Sequence, residues 1–387
     1  MKIMIFNTLY FPYKIGGAEV SVQFLAEEFV AQGHSVMVVC LTEGKVKRVE
    51  FVNGVQVLYV PIYNVYWPFG YQKKSSIKKI IWHLLDCFNP FVYFFVKREI
   101  DTFSPDVIHT NNLAGWSASV WLAARSKKVK IMHTTRDYYL MHPNSSLFSN
   151  GKNIDPSSLA VRVISLPKKV LSYYVNSYVG ISHFIQKTHC ENGFFKNAKQ
   201  NVIYNSVPVV NTPYTSSIKK RIGFIGRLSA EKGFDIFCEL AAHYKDSAKF
   251  QFLAAGSFPN KESDNLLKEL SIVCNVELLG FVNLSDFLSQ VDIVFLPIKW
   301  HEPFGRVVAE CVFAGKIVYT TPVGGISELS KILPNVIIAN DIVQEFNNTC
   351  ETISVEKIDP SLYKSFDKKL IAEKYLAEYI EMLKSNS

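Results

Sequence analysis

Residues 291–325 read VDIVFLPIKWHEPFGRVVAECVFAGKIVYTTPVGG, and they narrow the fold more than any other stretch of the chain. Ile293-Val294-Phe295-Leu296, stopped by Pro297, is a short apolar run of the kind that forms a buried strand. A loop follows, Trp300-His301-Glu302-Pro303-Phe304-Gly305. Small and apolar residues over 307–313 then surround one carboxylate, Glu310, and Gly315 is placed to end a helix there. Val318-Tyr319-Thr320 gives a second strand, closed by Pro322, Gly324 and Gly325. Strand, loop, helix and strand make one right-handed βαβ unit, which binds ligands at the carboxyl ends of its strands. Glu302 and Glu310, eight positions apart, flank the junction of loop and helix. The N–H groups of Phe304, Gly305, Arg306 and Val307 open that helix without intrahelical acceptors, a setting suited to a phosphate. A carboxylate on either side of a phosphate site fits a ligand with hydroxyls at both ends: a sugar, a diphosphate and a ribose. A glutamate is ordinarily a solvated charge, but Glu310 lies within VVAECVFA, where an unpaired carboxylate is costly.

A chain of 387 residues suits two domains better than one, and 48% hydrophobic against 20% charged residues can support sizeable cores. The seven cysteines are scattered and never spaced C-x2-C, which points to reduced thiols in a cytosolic compartment rather than a disulfide frame or a zinc site. The start, MKIMIFNTLYFPYKIGG, lacks the long apolar region of a signal peptide, and no stretch reaches the ~20 apolar residues of a membrane helix. The net charge of +8 is uneven. Residues 1–210 hold 23 Lys and Arg against 12 Asp and Glu, whereas the remainder holds 19 against 22. The basic half suits nucleic acid, anionic lipid or an acidic acceptor; with no nucleic-acid reading motif, nucleic acid fits least.

Strand and helix patterns alternate along the chain. A strand over 2–7 leads to Gly16-Gly17 and a helix over 20–31, and residues 51–61 read as a hairpin turned at Asn53-Gly54. Further strands end in polar residues at His109-Thr110-Asn111-Asn112 and at Thr134-Thr135-Arg136-Asp137. Another covers 178–182, and VIYNSVP closes this half. Residues 209–217 turn to Asn, Pro, Thr and Ser, a linker composition. A second unit then begins with a strand over 221–225 followed by Gly226-Arg227-Leu228-Ser229-Ala230-Glu231-Lys232-Gly233. Arg227 and Lys232 place two cations where a diphosphate could lie. Strands ending at Gly256 and Gly280-Phe281 come next, and residues 368–384 are helical in period. The fold expected is α/β with doubly wound sheets.

Residues 71–98 stand apart. Lys73, Lys74, Lys78 and Lys79 precede or interleave with Ile77, Ile80, Ile81, Trp82, Leu84, Leu85 and Phe88, and a second apolar patch over 91–96 ends in Lys97-Arg98. A basic, aromatic-rich amphipathic segment fits a peripheral contact with an anionic membrane, in which Ile77, Ile81, Trp82 and Phe88 insert. The plainer alternative is a helix whose apolar side is core and whose lysines are solvated.

The Glu302–Glu310 spacing resembles the E-x7-E signature of the large retaining GT-B glycosyltransferase family, the family 4-like, group 1 enzymes of sugar and polysaccharide assembly. G-R-L-S-x-E-K-G resembles that family's donor-phosphate motif, and the resemblance spans nearly the whole chain, most specifically 221–328. It implies two Rossmann-like doubly wound domains facing a central cleft. Residues 1–210 would form the acceptor-side domain, 211–363 the nucleotide-sugar-binding domain, and 364–387 a helix crossing back to the first. It implies that Glu302 faces the donor sugar, Glu310 the ribose, and Arg227 and Lys232 the diphosphate. Gly16, Gly17, Asn205, Gly256, Gly280, Phe281, Pro303, Phe304, Gly305, Arg306 and Val307 would complete the donor site. Two departures stand out. Ser206 replaces the usual glycine after Asn205, and Arg136 precedes Asp137 where many relatives carry a histidine. An arginine cannot act as a base at neutral pH, so its role there is electrostatic or positional. His133 reads as a satisfied strand residue. With no D-x-D in the chain, the expectation is a metal-independent transferase without cofactor. It would move sugar from a nucleotide diphosphate, with retention, to a sugar or lipid-linked glycan acceptor, at the cytoplasmic face of a membrane. A sugar-nucleotide epimerase and a silent binding subunit remain alternatives on the same fold.

Overall fold

The computed structural model describes residues 1–13, 16–70, 74–210, 212, 217–259 and 264–384. Lys73 of the basic cluster and residues 211 and 213–216 of the linker lie outside them. The chain divides into two compact units. One comprises residues 1–147, 155–206 and 368–384; the other comprises 148–154 and 207–367.

The first unit is built on β1 (Lys2–Phe6), β2 (Ser35–Thr42), β3 (Arg48–Val52), β4 (Val55–Pro61), β5 (Val107–Thr110) and β6 (Lys130–Thr135). Between β6 and the remaining strands, β7 (Phe148–Ser149) and β8 (Lys152–Asn153) form a small separate hairpin. β9 (Ser177–Gly180) and β10 (Lys199–Val202) complete an eight-stranded sheet, ordered β10-β9-β6-β5-β1-β2-β4-β3. Only the β3–β4 pair is antiparallel. Its turn sits at Asn53 and Gly54, both at positive φ (49° and 82°), and Val52 pairs with Val55. Central strands such as β1, KIMIF, are buried on both faces and so read as continuous apolar runs rather than alternating ones.

The helix Lys368–Lys384 belongs to this unit. Its buried stripe, Ile371, Tyr375, Leu376 and Tyr379, joins the core formed by β1, β2, β4 and the helix Gly17–Ala31. The rings of Phe29 and Tyr379 lie 5.6 Å apart, and the Tyr379 hydroxyl is 2.7 Å from His109 Nδ1.

The second sheet consists of β11 (Lys220–Ile225), β12 (Phe250–Ala255), β13 (Val276–Gly280), β14 (Ile293–Leu296), β15 (Ile317–Thr320) and β16 (Val336–Ile338). It is wholly parallel, ordered β13-β12-β11-β14-β15-β16. In each sheet the order reverses once, between β1 and β5 and between β11 and β14. Crevices for ligands open beyond the carboxyl ends of such switch points.

The segment 74–98 forms two helices, Ser76–Cys87 and Pro90–Phe103. The first is capped by Ser75, and the second by Asn89, whose side chain accepts from the N–H of Phe91 (3.0 Å) and Val92 (3.3 Å). Trp82, expected among the inserting residues, instead turns inward, its Nε1–H donating to the Tyr66 carbonyl at 3.1 Å. A buried indole needs such an acceptor, and the core supplies one. Among the described residues no helix is long and apolar enough to cross a membrane.

Candidate active site

The loops that leave β11 and β14 lie side by side at the switch point of the second sheet. Gly233 permits this. It holds φ +79°, and a Cβ there would come 1.9 Å from the Pro297 carbonyl oxygen. The Glu231 carbonyl accepts the N–H groups of Lys299 (3.0 Å) and Trp300 (3.3 Å), tying the two loops together. Lys232 is thereby set against Glu302, with Nζ 2.5 Å from Oε2. The Trp300 Nε1–H donates to that same oxygen at 3.0 Å, and the Lys232 ammonium stands 4.9 Å from the Trp300 ring centroid. From the other side the turn after β15 closes on the Glu302 backbone. Gly325 N–H donates to the Glu302 carbonyl at 2.7 Å, and a Cβ on Gly324 would reach 2.2 Å from that oxygen. The hairpin adds a last clasp: the Asn153 side chain donates to the Lys299 carbonyl (2.9 Å) and accepts from His301 N–H (3.0 Å). Glu302 is therefore held by its side chain, its own backbone and its neighbours' backbone.

Beyond Gly305, at φ +94°, the helix Arg306–Phe313 begins without a side-chain cap, and Val308 N–H reaches back to the Gly305 carbonyl at 3.0 Å; the N–H groups that open such a helix point at the site. Glu310 is buried on this helix. Burial pushes its carboxyl upward from the ordinary range, and Arg306 opposes the shift through an Nε–H donated to Oε1 at 2.7 Å. Pro303, Phe304 and Gly305 are buried, and the Phe304 ring faces Phe366, so Phe304 offers the site its backbone; Val307 is half-buried. Arg227 does not join Glu302 and Lys232. Its guanidinium pairs with Glu231 at 2.8 Å and is half exposed. Gly256 and Gly280 end β12 and β13, joined by a Gly256 N–H to Gly280 carbonyl bond of 2.8 Å, while the Phe281 ring is 89% exposed.

The first unit holds the other named residues. Gly16 and Gly17 open the helix after β1, where Gly16 N–H donates to Glu19 Oε2 at 2.9 Å. Arg136, buried after β6, donates through Nε to Asn111 Oδ1 (2.8 Å) and through a terminal nitrogen to Asn205 Oδ1 (2.5 Å). Asn205 is thus brought to Arg136. Asp137 turns elsewhere, accepting from Asn112 Nδ2 (2.7 Å) and Tyr139 N–H (2.8 Å). Burial pushes its carboxyl up to about 6. A shallow hollow beside Arg136 and Asn205 is lined by Ser21, Tyr204, Lys368 and Tyr375. His133 is a strand residue bonded to Thr110 Oγ1 (2.9 Å) and stacked on Phe195. Among the described residues no three His, Cys, Asp or Glu side chains converge as a metal site would require.

Sequence reasoning missed Trp300, Asn111 and Asn153. Trp300, a tryptophan two residues before Glu302 in a strand-to-helix loop, carried a usable signal. Asn153 carried none, because its contact depends on a hairpin of two-residue strands.

Family models match both units: Glycosyltransferase Family 4 over residues 15–210 and Glycosyl transferases group 1 over 219–354. An uncharacterized 42.6 kDa protein of the cps region of Klebsiella pneumoniae is 47% identical, the match covering 98% of this chain and 100% of that protein. Among solved structures, sucrose-phosphate synthase of Thermosynechococcus elongatus superposes with TM-score 0.72 at 16% identity, over 100% of each chain. Anabaena HepE, solved with UDP and glucose, superposes with TM-score 0.70 at 18% identity, over 98% of this chain and 99% of its own. The βαβ unit with its paired glutamates, the two switch points and these matches lead to one assignment: the chain belongs to the family 4, group 1 glycosyltransferases and has the GT-B fold.

Proposed function

We propose that this glycosyltransferase moves a sugar from a nucleotide-diphosphate donor to an acceptor hydroxyl, with retention and without a metal, in the assembly of a cell-surface polysaccharide or glycolipid. The observation that carries the reading is Glu302, oriented by Lys232 and Trp300 beside the start of the helix that buries Glu310. In this reading Glu302 accepts the sugar hydroxyls and Glu310 those of the ribose. Lys232, with two further N–H donors, offsets the charge that develops on the departing diphosphate, together with Arg227 and the helix N–H groups. Binding and positioning supply the rate, since among the described residues of the second unit no side chain stands out as a nucleophile. Arg136 contributes a fixed positive charge, tied to Asn111 and Asn205, and no base. The HepE structure with UDP and glucose supports a nucleotide-sugar donor, and the cps-region relative supports a surface polysaccharide as the product. The enzyme acts at the cytoplasmic face of a membrane, with segment 71–98 touching anionic lipid and the acceptor a lipid-linked glycan.

The test is incubation with labelled sugar nucleotides, with and without a lipid extract, in excess chelator. Nucleotide release that needs the extract, survives chelation and falls in Glu302→Gln is the expected result. An isomerised sugar without acceptor would make the protein an epimerase instead. Activity lost to EDTA and restored by Mg²⁺ or Mn²⁺ would overturn metal independence.

A further inference from the structure

We propose that the first unit carries a two-helix docking face for an anionic lipid bilayer, with the helix Leu159–Leu171 as a second leg beside Ser76–Cys87. The proposal rests on the membrane contact put forward above and names a surface for it that segment 71–98 does not contain.

Both helices are amphipathic in the inverted sense. Ser76–Cys87 turns Trp82 and Asp86 inward and leaves Ile77, Ile80 and Leu84 outward, 71%, 58% and 66% exposed. Leu159–Leu171 turns Val161, Ser165 and Lys168 inward, at i, i+4 and i+7, and leaves Leu159, Val163, Leu166 and Val170 outward. The inner sides meet at a buried ion pair. Lys168 Nζ lies 3.8 Å from Asp86 Oδ2 and donates to the Tyr139 carbonyl at 3.1 Å. The Tyr139 hydroxyl donates in turn to the Asp86 carbonyl at 3.2 Å. A surface helix of a water-soluble protein ordinarily faces its apolar stripe to the core and its charges to water. Here charge is spent inside while rows of aliphatic side chains face out, an arrangement that marks an interaction surface.

The charges left outside select the partner. Over residues 74–98 and 158–172 the only carboxylate is Asp86, which is buried. The exposed charges of those segments are Lys78, Lys79, Arg98 and Arg162. Arg98 is paired with Glu99 at 3.5 Å, whereas Lys78, Lys79 and Arg162 face out beside the aliphatic rows, and that combination matches the acyl chains and headgroups of an anionic bilayer. The buried pair also touches the loops after β5 and β6, through Gly115 N–H donated to Asp86 Oδ1 at 2.6 Å and through Tyr139, at the end of a doubly wound sheet where ligand loops gather, so docking there presents a lipid-borne acceptor to them.

The experiment uses the full chain and vesicles of phosphatidylglycerol in phosphatidylcholine, against phosphatidylcholine alone, at low salt. Two variants are compared with wild type: Lys78→Glu/Lys79→Glu in the first helix, and Leu159→Gln/Val163→Gln/Leu166→Gln in the second. Circular dichroism confirms folding, and light scattering gives the oligomeric state. The expected result is sedimentation with the anionic vesicles only, weakened at least roughly tenfold in each variant. Amide exchange over 159–171 in the wild type, expected to slow when vesicles are added, gives a readout independent of the substitutions. If only the lysine variant loses binding and exchange over 159–171 is unchanged, the second leg is wrong and the contact through 71–98 stands. If wild type ignores both vesicle types, both proposals fall. Equal binding to neutral vesicles overturns the choice of anionic lipid. A wild-type dimer that both variants dissolve, without vesicle binding, would make the face a contact between copies.

Discussion

Trp300→Phe isolates what the indole N–H does for Glu302. In the folded protein Glu302 Oε2 has two donors, Lys232 Nζ at 2.5 Å and Trp300 Nε1 at 3.0 Å. Phenylalanine keeps an aromatic ring under the Lys232 ammonium and removes one charge-assisted hydrogen bond. Such a bond is worth roughly 1.5–3 kcal/mol. Glu302 keeps 17% of its side-chain surface in contact with solvent, so water replaces part of the loss and the lower end applies. About 1.5 kcal/mol corresponds to roughly a tenfold change. If Glu302 meets the donor sugar, the loss appears in kcat/KM for sugar transfer. The Kd of the bare nucleoside diphosphate, which lacks the sugar, stays within about twofold in the same picture. Steady-state kinetics and calorimetric titration read the two quantities, and a thermal melt shows that the smaller ring is accommodated. An unchanged kcat/KM in a folded variant refutes the argument. So does an equal loss in diphosphate affinity, which would place Glu302 at the phosphates rather than the sugar.

Glu310→Gln should raise the Kd for the nucleotide sugar about tenfold or more, since a buried carboxylate accepting ribose hydroxyls makes charge-assisted bonds; calorimetry with an unchanged Kd would remove Glu310 from the ribose. Lys232→Ala should lower turnover more than Arg227→Ala does, because Lys232 sits on Glu302 whereas Arg227 is half exposed and paired with Glu231; the reverse ranking in steady-state assays would exchange their roles. His189→Phe should flatten the fall of Tm between pH 6.5 and 4. Burial lowers His189 from 6.5 to about 4, so the unfolded chain takes up the proton first. Its contribution is therefore whole above pH 6.5 and lost as pH falls, at most ~3 kcal/mol by linkage. A wild-type Tm profile parallel to that of His189→Phe would contradict it.

Much of the second unit was legible because its site is local in sequence. Strand, loop, helix and strand from 291 to 325 fold next to one another, and the signals there, Pro297, Gly305, Gly315 and Gly324, act over a few residues. The partner of Glu302 was legible only as a cation near a phosphate. That Lys232 reaches the glutamate itself depends on Gly233 passing against Pro297, a contact between loops more than sixty residues apart. The first unit was less readable for the same reason. Arg136, Asn111 and Asn205 come from three different connections, and nothing in the periodicity of any one announces the others. The helix Leu159–Leu171 has a clear apolar period, and a reader assigns that period to the core by default. Only the ion pair between Lys168 and Asp86 shows which side faces in.

The arginine at position 136 also bears on how activity should depend on pH. A histidine there would titrate near neutrality, whereas a guanidinium keeps its charge throughout. The group beside it that does titrate is Asp137. Burial is the chief reason its carboxyl rises to about 6; Glu19 pushes it further, while Tyr139 N–H, Lys168 and Asn112 hold it back. Above pH 6 the ionised carboxylate accepts from Asn112, whose own side-chain oxygen takes Thr8 Oγ1 at 3.0 Å and Ala114 N–H at 2.9 Å. Protonation weakens that anchor of the loop after β5, so turnover should fall below pH 6 while the protein is still folded. Asp137→Asn carries no titrating group, and its rate should be lower but flat from pH 7 to 5. Glu310 is also raised, yet it is held by Arg306, and its protonation would appear in donor affinity rather than in kcat. Measuring kcat at saturating donor from pH 8 to 5 separates the two. An acid limb that persists in Asp137→Asn with the wild-type midpoint would mean that the loop after β6 does not set the pH dependence of transfer.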